Sequence, residues 1–183
     1  NIFGDHNLQN INGALHICSS LGIKSEDFYK AITSFNGASN RLELIYKFSN
    51  STIFKDFAHS PSKVKATSEA VRKQFPEIRV IACFELHTYS SLNPTFLNKY
   101  RDTLNNADEC YIYYSEKNMK IKRLTPIDSK LIIKSFNHKN LTVIDNYEKL
   151  KETMFSLDLT NSVLLMMSSG KFGGLDLEKL KQY

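Results

Sequence analysis

The sequence predicts an α/β protein: a Rossmann-like, doubly wound and mainly parallel sheet preceded by two helices. Three observations lead there. Beyond Arg41, short apolar runs alternate with amphipathic stretches, the pattern of strands joined by crossover helices. Runs such as Val80-Ile81-Ala82-Cys83-Phe84 and Val163-Leu164-Leu165-Met166-Met167 are continuously apolar, as strands covered on both faces must be. Polar clusters then follow several of these runs, where the carboxyl ends of a parallel sheet gather loops and ligands.

The elements follow in order. From Asn7 to Leu21 the residues Leu8, Ile11, Leu15, Cys18 and Leu21 recur at spacings of three and four, an amphipathic helix stopped by Gly22. A second helix begins with Ser25 as N-cap, turns Phe28, Ala31 and Ile32 inward, and ends in Asn36-Gly37-Ala38-Ser39-Asn40. Leu42 to Phe48 and Thr52 to Phe57 flank the polar turn Ser49-Asn50-Ser51 and form a hairpin. Pro61 to Phe75 is helical, with Val64, Thr67, Val71 and Phe75 on one face. Then come a strand from Arg79 to Phe84, a helix from Pro94 to Asn105, a strand from Glu109 to Tyr114 and a helix from Ile127 to Phe136. A strand from Leu141 to Ile144, a helix from Tyr147 to Ser156, a strand from Ser162 to Met167 and a short helix near Leu175 to Lys181 close the chain.

A chain of 183 residues, 42% hydrophobic, is long enough to bury a sizeable core. No apolar run of about 18 residues is present, and the start lacks the basic-then-apolar layout of a secretory signal, so a cytoplasmic protein with no membrane partner is expected. Cys18, Cys83 and Cys110 are scattered and odd in number, which favours reduced buried thiols over disulfides or zinc. The net charge of +5 comes from lysines spread along the chain rather than a block with interleaved aromatics, so nucleic acid is not an expected partner. It suits small anions such as nucleotides.

Three polar clusters fall at strand ends and are expected to build one site: Asp56 to Ser60, Glu85 to Ser91, and Ser168-Ser169-Gly170-Lys171-Phe172-Gly173-Gly174. Ser60-Pro61 has the form of an N-cap and a first-turn proline, which places His59 and Ser60 where free N–H groups favour an anion; a capped helix and nothing more is the alternative. Asn7 and Asn10 stand three apart on one helix face, with amides suited to an adenine edge. Arg41 offers a planar fork of donors to a phosphate, or an ion pair to Glu43. His87, Tyr89, Ser169 and Lys171 carry groups able to bind the carboxylates or amine of a second substrate. Gly170, Gly173 and Gly174 free the backbone to bind an anion, but Gly170-Lys171 is no Walker A loop, because the upstream glycine and the following Ser or Thr are absent.

Gly4-Asp5-His6-Asn7-Leu8-Gln9-Asn10, Arg41-Leu42-Glu43 and Asp56-Phe57-Ala58-His59-Ser60-Pro61 together resemble, in order, the G-x-H-N-x-x-N, R-x-E and D-x-A-H-H-P motifs of the ATP-dependent Mur ligases of bacterial cell-wall synthesis. Ser60 replaces the second histidine of the last motif. The resemblance implies that Asn7 and Asn10 lie around the adenine and that Asp56 lies at the ribose and the neighbouring magnesium-phosphate region. Replacing Arg41 or Asp56 by alanine is expected to impair ATP use and slow turnover without large loss of stability. Phe84-Glu85-Leu86-His87-Thr88-Tyr89-Ser90 combines the F-E of the murein-peptide ligases, F-E-P-R-[ST]-x-[ST], with the H-x-Y of the L-alanine-adding enzymes, F-x-P-H-x-Y-[ST]-R. The cluster from Ser168 to Gly174 is similar to the murein-peptide closing motif S-[NS]-G-x-F-G-G and tips the resemblance that way.

The resemblance therefore implies residues 1–40 as the last helices of a central ATP-binding domain and 41–183 as the C-terminal domain. The cofactors are ATP and Mg2+, the partners UDP-N-acetylmuramate and a cell-wall peptide together with the chain's own absent N-terminal and central domains. Most of the phosphate cradle and the metal ligands are expected on those other domains. No catalytic residue is assigned within this chain, which is expected to be inactive alone. The alternatives are the L-alanine-adding ligase and a non-catalytic nucleotide- or peptide-binding module.

Overall fold

The computed structural model describes residues 2–35 and 37–182, so Asn36, in the predicted end of the second helix, lies outside the described residues. Helices α1 (Asp5–Ser20) and α2 (Ser25–Ile32) come first. Lys24, not Ser25, holds the N-cap position of α2, and Ser25 is its first helical residue. Phe28 is buried as expected, but the stripe of α1 is not: Leu8 is 54% and Leu21 76% exposed, and the one buried residue of α1 is Asn7. Among the described residues, α1 packs mainly on α2, which is too short to cover the stripe.

The hairpin is β1 (Glu43–Phe48) and β2 (Ser51–Asp56), antiparallel with a bulge between Leu44 and Tyr46. After it come α3 (Pro61–Gln74), β3 (Arg79–Glu85), β4 (Glu109–Tyr113), α4 (Glu116–Ile121), α5 (Ser129–Phe136), β5 (Leu141–Ile144), α6 (Tyr147–Ser156) and β6 (Ser162–Met167). The six strands lie in the order β1-β2-β6-β3-β4-β5, and every pairing except β1 with β2 is parallel. β6 inserts between β2 and β3, so the chain's last loop emerges between the loops that end those two strands.

Period-two alternation sends neighbouring strand residues to opposite cores. Phe54, Ala82, Phe84, Ile112 and Leu165 face α3 and α5 through Val64, Val71, Ile132 and Phe136. Ile53, Ile81, Cys83, Tyr111 and Leu164 face α6 and the C-terminal turns through Leu150, Met154, Phe172 and Leu177. The three cysteines are free; burial pushes the thiols of Cys83 and Cys110 up. Among the described residues no helix is long and apolar enough to cross a membrane.

Two helices depart from the sequence reading. The helix predicted over 94–105 is only a 3-10 turn, Leu97–Tyr100. Asn93 diverts Thr95 by accepting from its N–H and hydroxyl, and Asp102 turns left-handed (φ 60) while its N–H donates to the Phe136 carbonyl at the end of α5. Tertiary pairing to α5 thus overrides local periodicity. Conversely, α4 was not predicted; six residues are too few for a helical period to show, and Ser115 starts it by accepting from the Asn118 N–H.

Candidate functional site

The carboxyl ends of β2, β6 and β3 form one edge, and two buried carboxylates organise it. Asp56, 7% exposed, ends β2; its two oxygens accept from the N–H groups of Leu42 (2.8 Å) and Ala58 (2.7 Å) and from the Thr67 hydroxyl (3.3 Å). Glu85, 2% exposed, ends β3 and accepts from the Ser168 hydroxyl and the Phe172 N–H (2.9 Å), with His87 Nδ1 at 3.6 Å. Ser168 joins the two, because its N–H donates to the Asp56 carbonyl at 3.0 Å. The three predicted clusters therefore meet on one edge.

Beside Asp56 opens a cavity of about 330 Å³ lined by His6, Asn10, Arg41, Asp56 and Lys63 among others, a size suited to a small-molecule group. A second hollow of about 270 Å³ also has Asn10 and Arg41 in its lining and adds Asn7. Asn10, Arg41 and Asp56 are thus brought together. Asn7 is spent differently: its Nδ2 donates to the Phe3 carbonyl at 3.0 Å, stapling the segment before α1. Gly4 completes that staple, for at φ 93 an added Cβ would lie 2.9 Å from Ala70 Cβ on α3.

His59 and Ser60 adjoin the larger cavity but do not line it. His59 bonds the Phe57 carbonyl through Nδ1 at 2.8 Å, and its own carbonyl accepts from the Tyr100 hydroxyl. Ser60 stands at the N-cap of α3 with extended backbone, yet its hydroxyl makes no cap hydrogen bond, correcting the capping role read from Ser-Pro; Pro61 at N1 has no N–H to satisfy. Sequence reasoning missed His6 and Lys63. His6 falls four residues before Asn10 on one helix face, a signal that was available; Lys63 has none.

At the other end of the edge, His87, Glu85 and Gly170 close on one another. A Cβ at Gly170 would lie 2.7 Å from His87 Nδ1 and 2.8 Å from Glu85 Oε2, so only glycine fits. The Ser169 hydroxyl, one residue before, is buried and, among the described residues, without a hydrogen-bond partner. Tyr89 is 64% exposed under the Lys122 ammonium, and Lys171 is exposed. His87 is thus brought beside the loop that carries Ser169 and Lys171, while Tyr89 stays exposed. Phe172, left-handed at φ 50, is fixed there by Glu85.

No protein-family model matches the chain. It is 38% identical over 112 residues to the UDP-N-acetylmuramate–L-alanine ligase of Caldicellulosiruptor bescii, covering 61% of this chain and 24% of that protein. The corresponding ligase of Agathobacter rectalis is 28% identical over 183 residues, 98% of this chain and 39% of that protein. Both relatives are Mur ligases, and it is to this family that the chain is similar. The chain thus spans under two fifths of the length of either Mur ligase.

Solved ligases share the fold. The UDP-N-acetylmuramate–alanine ligase of Thermotoga maritima superposes with TM-score 0.74 at 18% identity, over 93% of this chain and 36% of that one. The murein peptide ligase of Psychrobacter arcticus gives 0.66 at 20%, over 99% and 37%. Folylpolyglutamate synthase of Mycobacterium tuberculosis, complexed with ADP and AMPPCP, gives 0.62 at 16%, over 94% and 39%. At these identities the likeness concerns the fold alone.

Proposed function

We propose that this chain is the C-terminal part of a cytoplasmic ATP-dependent ligase that joins UDP-N-acetylmuramate to the tripeptide L-Ala-γ-D-Glu-meso-diaminopimelate through an acyl phosphate. Residues 41–183 would be its last domain, and residues 1–40 the closing helices of the domain before, whose bare apolar stripe on α1 is then covered by the rest of that domain. The observation that carries the reading is the meeting, on one sheet edge, of a cavity holding Asn10 and Arg41 with a closed loop holding His87 and Ser169.

The cavity fits part of a nucleotide. Arg41 supplies a fork of donors for a phosphate, Lys63 adds a second cation, and Asn10 offers donor and acceptor to a base or ribose. Asp56 shapes the cavity rather than reaching into it, because both its oxygens are already engaged. Among the described residues no three His, Cys, Asp or Glu side chains gather as metal ligands, so magnesium would draw most of its ligands from the nucleotide and the other domains. No step is assigned to it here. The murein-peptide choice is supported by the hydrogen bonds linking Glu85 of the Phe-Glu pair to Ser168 and Phe172 of the closing motif, so that two features of that branch act as one unit.

A second reading, addition of L-alanine, is favoured by the curated relatives, whose names specify that amino acid. The test is ADP formation by the intact parent protein with UDP-N-acetylmuramate, ATP and either tripeptide or L-alanine. Turnover with tripeptide alone is the expected result; use of free L-alanine overturns the peptide assignment, and turnover with neither favours a non-catalytic module. The chain by itself is expected to show no ATP hydrolysis, and measurable turnover would refute its dependence on other domains.

A further inference from the structure

α4, the helix invisible in the sequence, delivers a cation to the peptide-side loop. Lys122, directly after α4, donates from Nζ to the His87 carbonyl at 2.6 Å and sits 4.5 Å from the centroid of the Tyr89 ring. It is half-buried and, among the described residues, forms no ion pair. The carboxylate on the same loop, Glu85, is turned inward and engaged by Ser168 and Phe172. Next to Lys122, Arg123 is exposed in the left-handed conformation at φ 54, one that costs energy for a non-glycine residue. An ammonium has three donors, and only one is used by the His87 carbonyl. A half-buried cation with no counter-charge is stabilised by an anion supplied from outside.

Position decides which anion. The nucleotide-side cavity lies at the end of β2, and the Lys122–His87–Tyr89 group at the end of β3, with β6 between. Two strand spacings amount to roughly 10 Å. One amino acid spans about 3.5 Å and three span about 10 Å. An amine reacting at the nucleotide end therefore reaches Lys122 only through a peptide of several residues. Resting on the ligase reading above, we propose that Lys122, assisted by Arg123, binds a distal carboxylate of the incoming peptide, so that the site selects an acidic peptide over a free amino acid.

The test is calorimetric titration of the intact parent protein, wild type, Lys122→Met and Lys122→Arg, with three probes: the tripeptide, the same tripeptide with its carboxylates amidated, and L-alanine. Losing a charge-assisted hydrogen bond corresponds to roughly tenfold weaker binding or more. The tripeptide is expected to bind Lys122→Met at least ~10-fold more weakly than wild type, with most affinity restored in Lys122→Arg. The amidated peptide should bind wild type as weakly as the tripeptide binds Lys122→Met, a control that needs no mutation, and ATP affinity should not move. Equal tripeptide affinity in wild type and Lys122→Met, an amidated peptide that binds wild type as well as the tripeptide does, or no tripeptide binding at all overturns the inference. Lys122-dependent tripeptide binding without ADP formation from any amine would sink the ligase reading and leave this one standing; tripeptide ligation indifferent to Lys122→Met would do the reverse.

Discussion

The ends of β2 and β3 present the same chemistry and put it to different use. Each closes in a buried carboxylate held by N–H and hydroxyl donors. The partners of Asp56 lie 2, 11 and 14 residues away, so it ties the hairpin to its own surroundings and holds Leu42 left-handed at φ 46. The partners of Glu85 lie 83 and 87 residues away, so it ties the middle of the chain to its end. Around Asp56 a cavity stays open and receives Arg41 and Lys63; around Glu85 the loop closes until only a glycine fits at position 170. A buried carboxylate at a strand end is thus a device for shaping backbone, and ligand chemistry belongs to the groups beside it.

Removing each carboxylate separates the two uses. Glu85→Ala is expected to cost about 3 kcal/mol in urea denaturation, because it orphans the Phe172 N–H and the Ser168 hydroxyl and frees a left-handed phenylalanine from its clamp. Asp56→Ala should cost less, about 2 kcal/mol, since its partners lie within 14 residues of it and removing it does not unpin the end of the chain. Set against the sequence expectation of no large stability loss at Asp56, these buried hydrogen bonds give its side chain a share in the fold. Equal losses, or a larger one at Asp56, would erase the distinction between long-range knot and local brace.

Legibility in the sequence follows the same division. All six strands were readable within a residue or two, because continuous apolar runs report burial on both faces whatever the tertiary context. The region 94–105 misled because Asp102 and Phe136, 34 residues apart, settle its path together. At the site, Arg41, Asn10 and Asp56 were legible as motif residues and do share a cavity. The engagement of Glu85 by Ser168 and Phe172 was not, since nothing local marks a carboxylate whose donors arrive more than eighty residues later. Ser60 shows the opposite error: the residue type suited a cap, yet its hydroxyl caps nothing, while Asn7 lines the smaller hollow and gives its Nδ2 to the backbone.

Arg41 sharpens the comparison from the ligand side. It is exposed and lines the open cavity, so Arg41→Ala should change stability by less than about 0.5 kcal/mol. In the intact parent protein it should weaken nucleotide binding about tenfold, the loss of one charge-assisted hydrogen bond. Calorimetric titration with ADP checks the second expectation and urea denaturation the first. Unchanged affinity would return Arg41 to the surface and leave the cavity without its phosphate contact.

The smallest expected effect lies at the far end of the sheet, where an exposed carboxylate does what the buried ones do at the site. Asp108 accepts from the Val80 N–H at 2.7 Å and from Arg72, whose Nε and Nη1 also hold the carbonyls of Asn106 and Ile78. Burial pushes the Asp108 carboxyl up, but the Val80 N–H and the Arg72 guanidinium outweigh it and hold the group below the usual carboxylate range. A folded-state value below the unfolded one means that the contribution is fully present above about pH 4 and is lost as pH falls through the lower, folded value. The side chain is 53% exposed, so screening limits the contribution to roughly 0.5 kcal/mol. Asp108→Asn is therefore expected to lower the melting temperature slightly at pH 7 and to converge with wild type below pH 4. A gap that persists in acid would show that Asp108 acts through its shape and the Val80 hydrogen bond rather than through its charge.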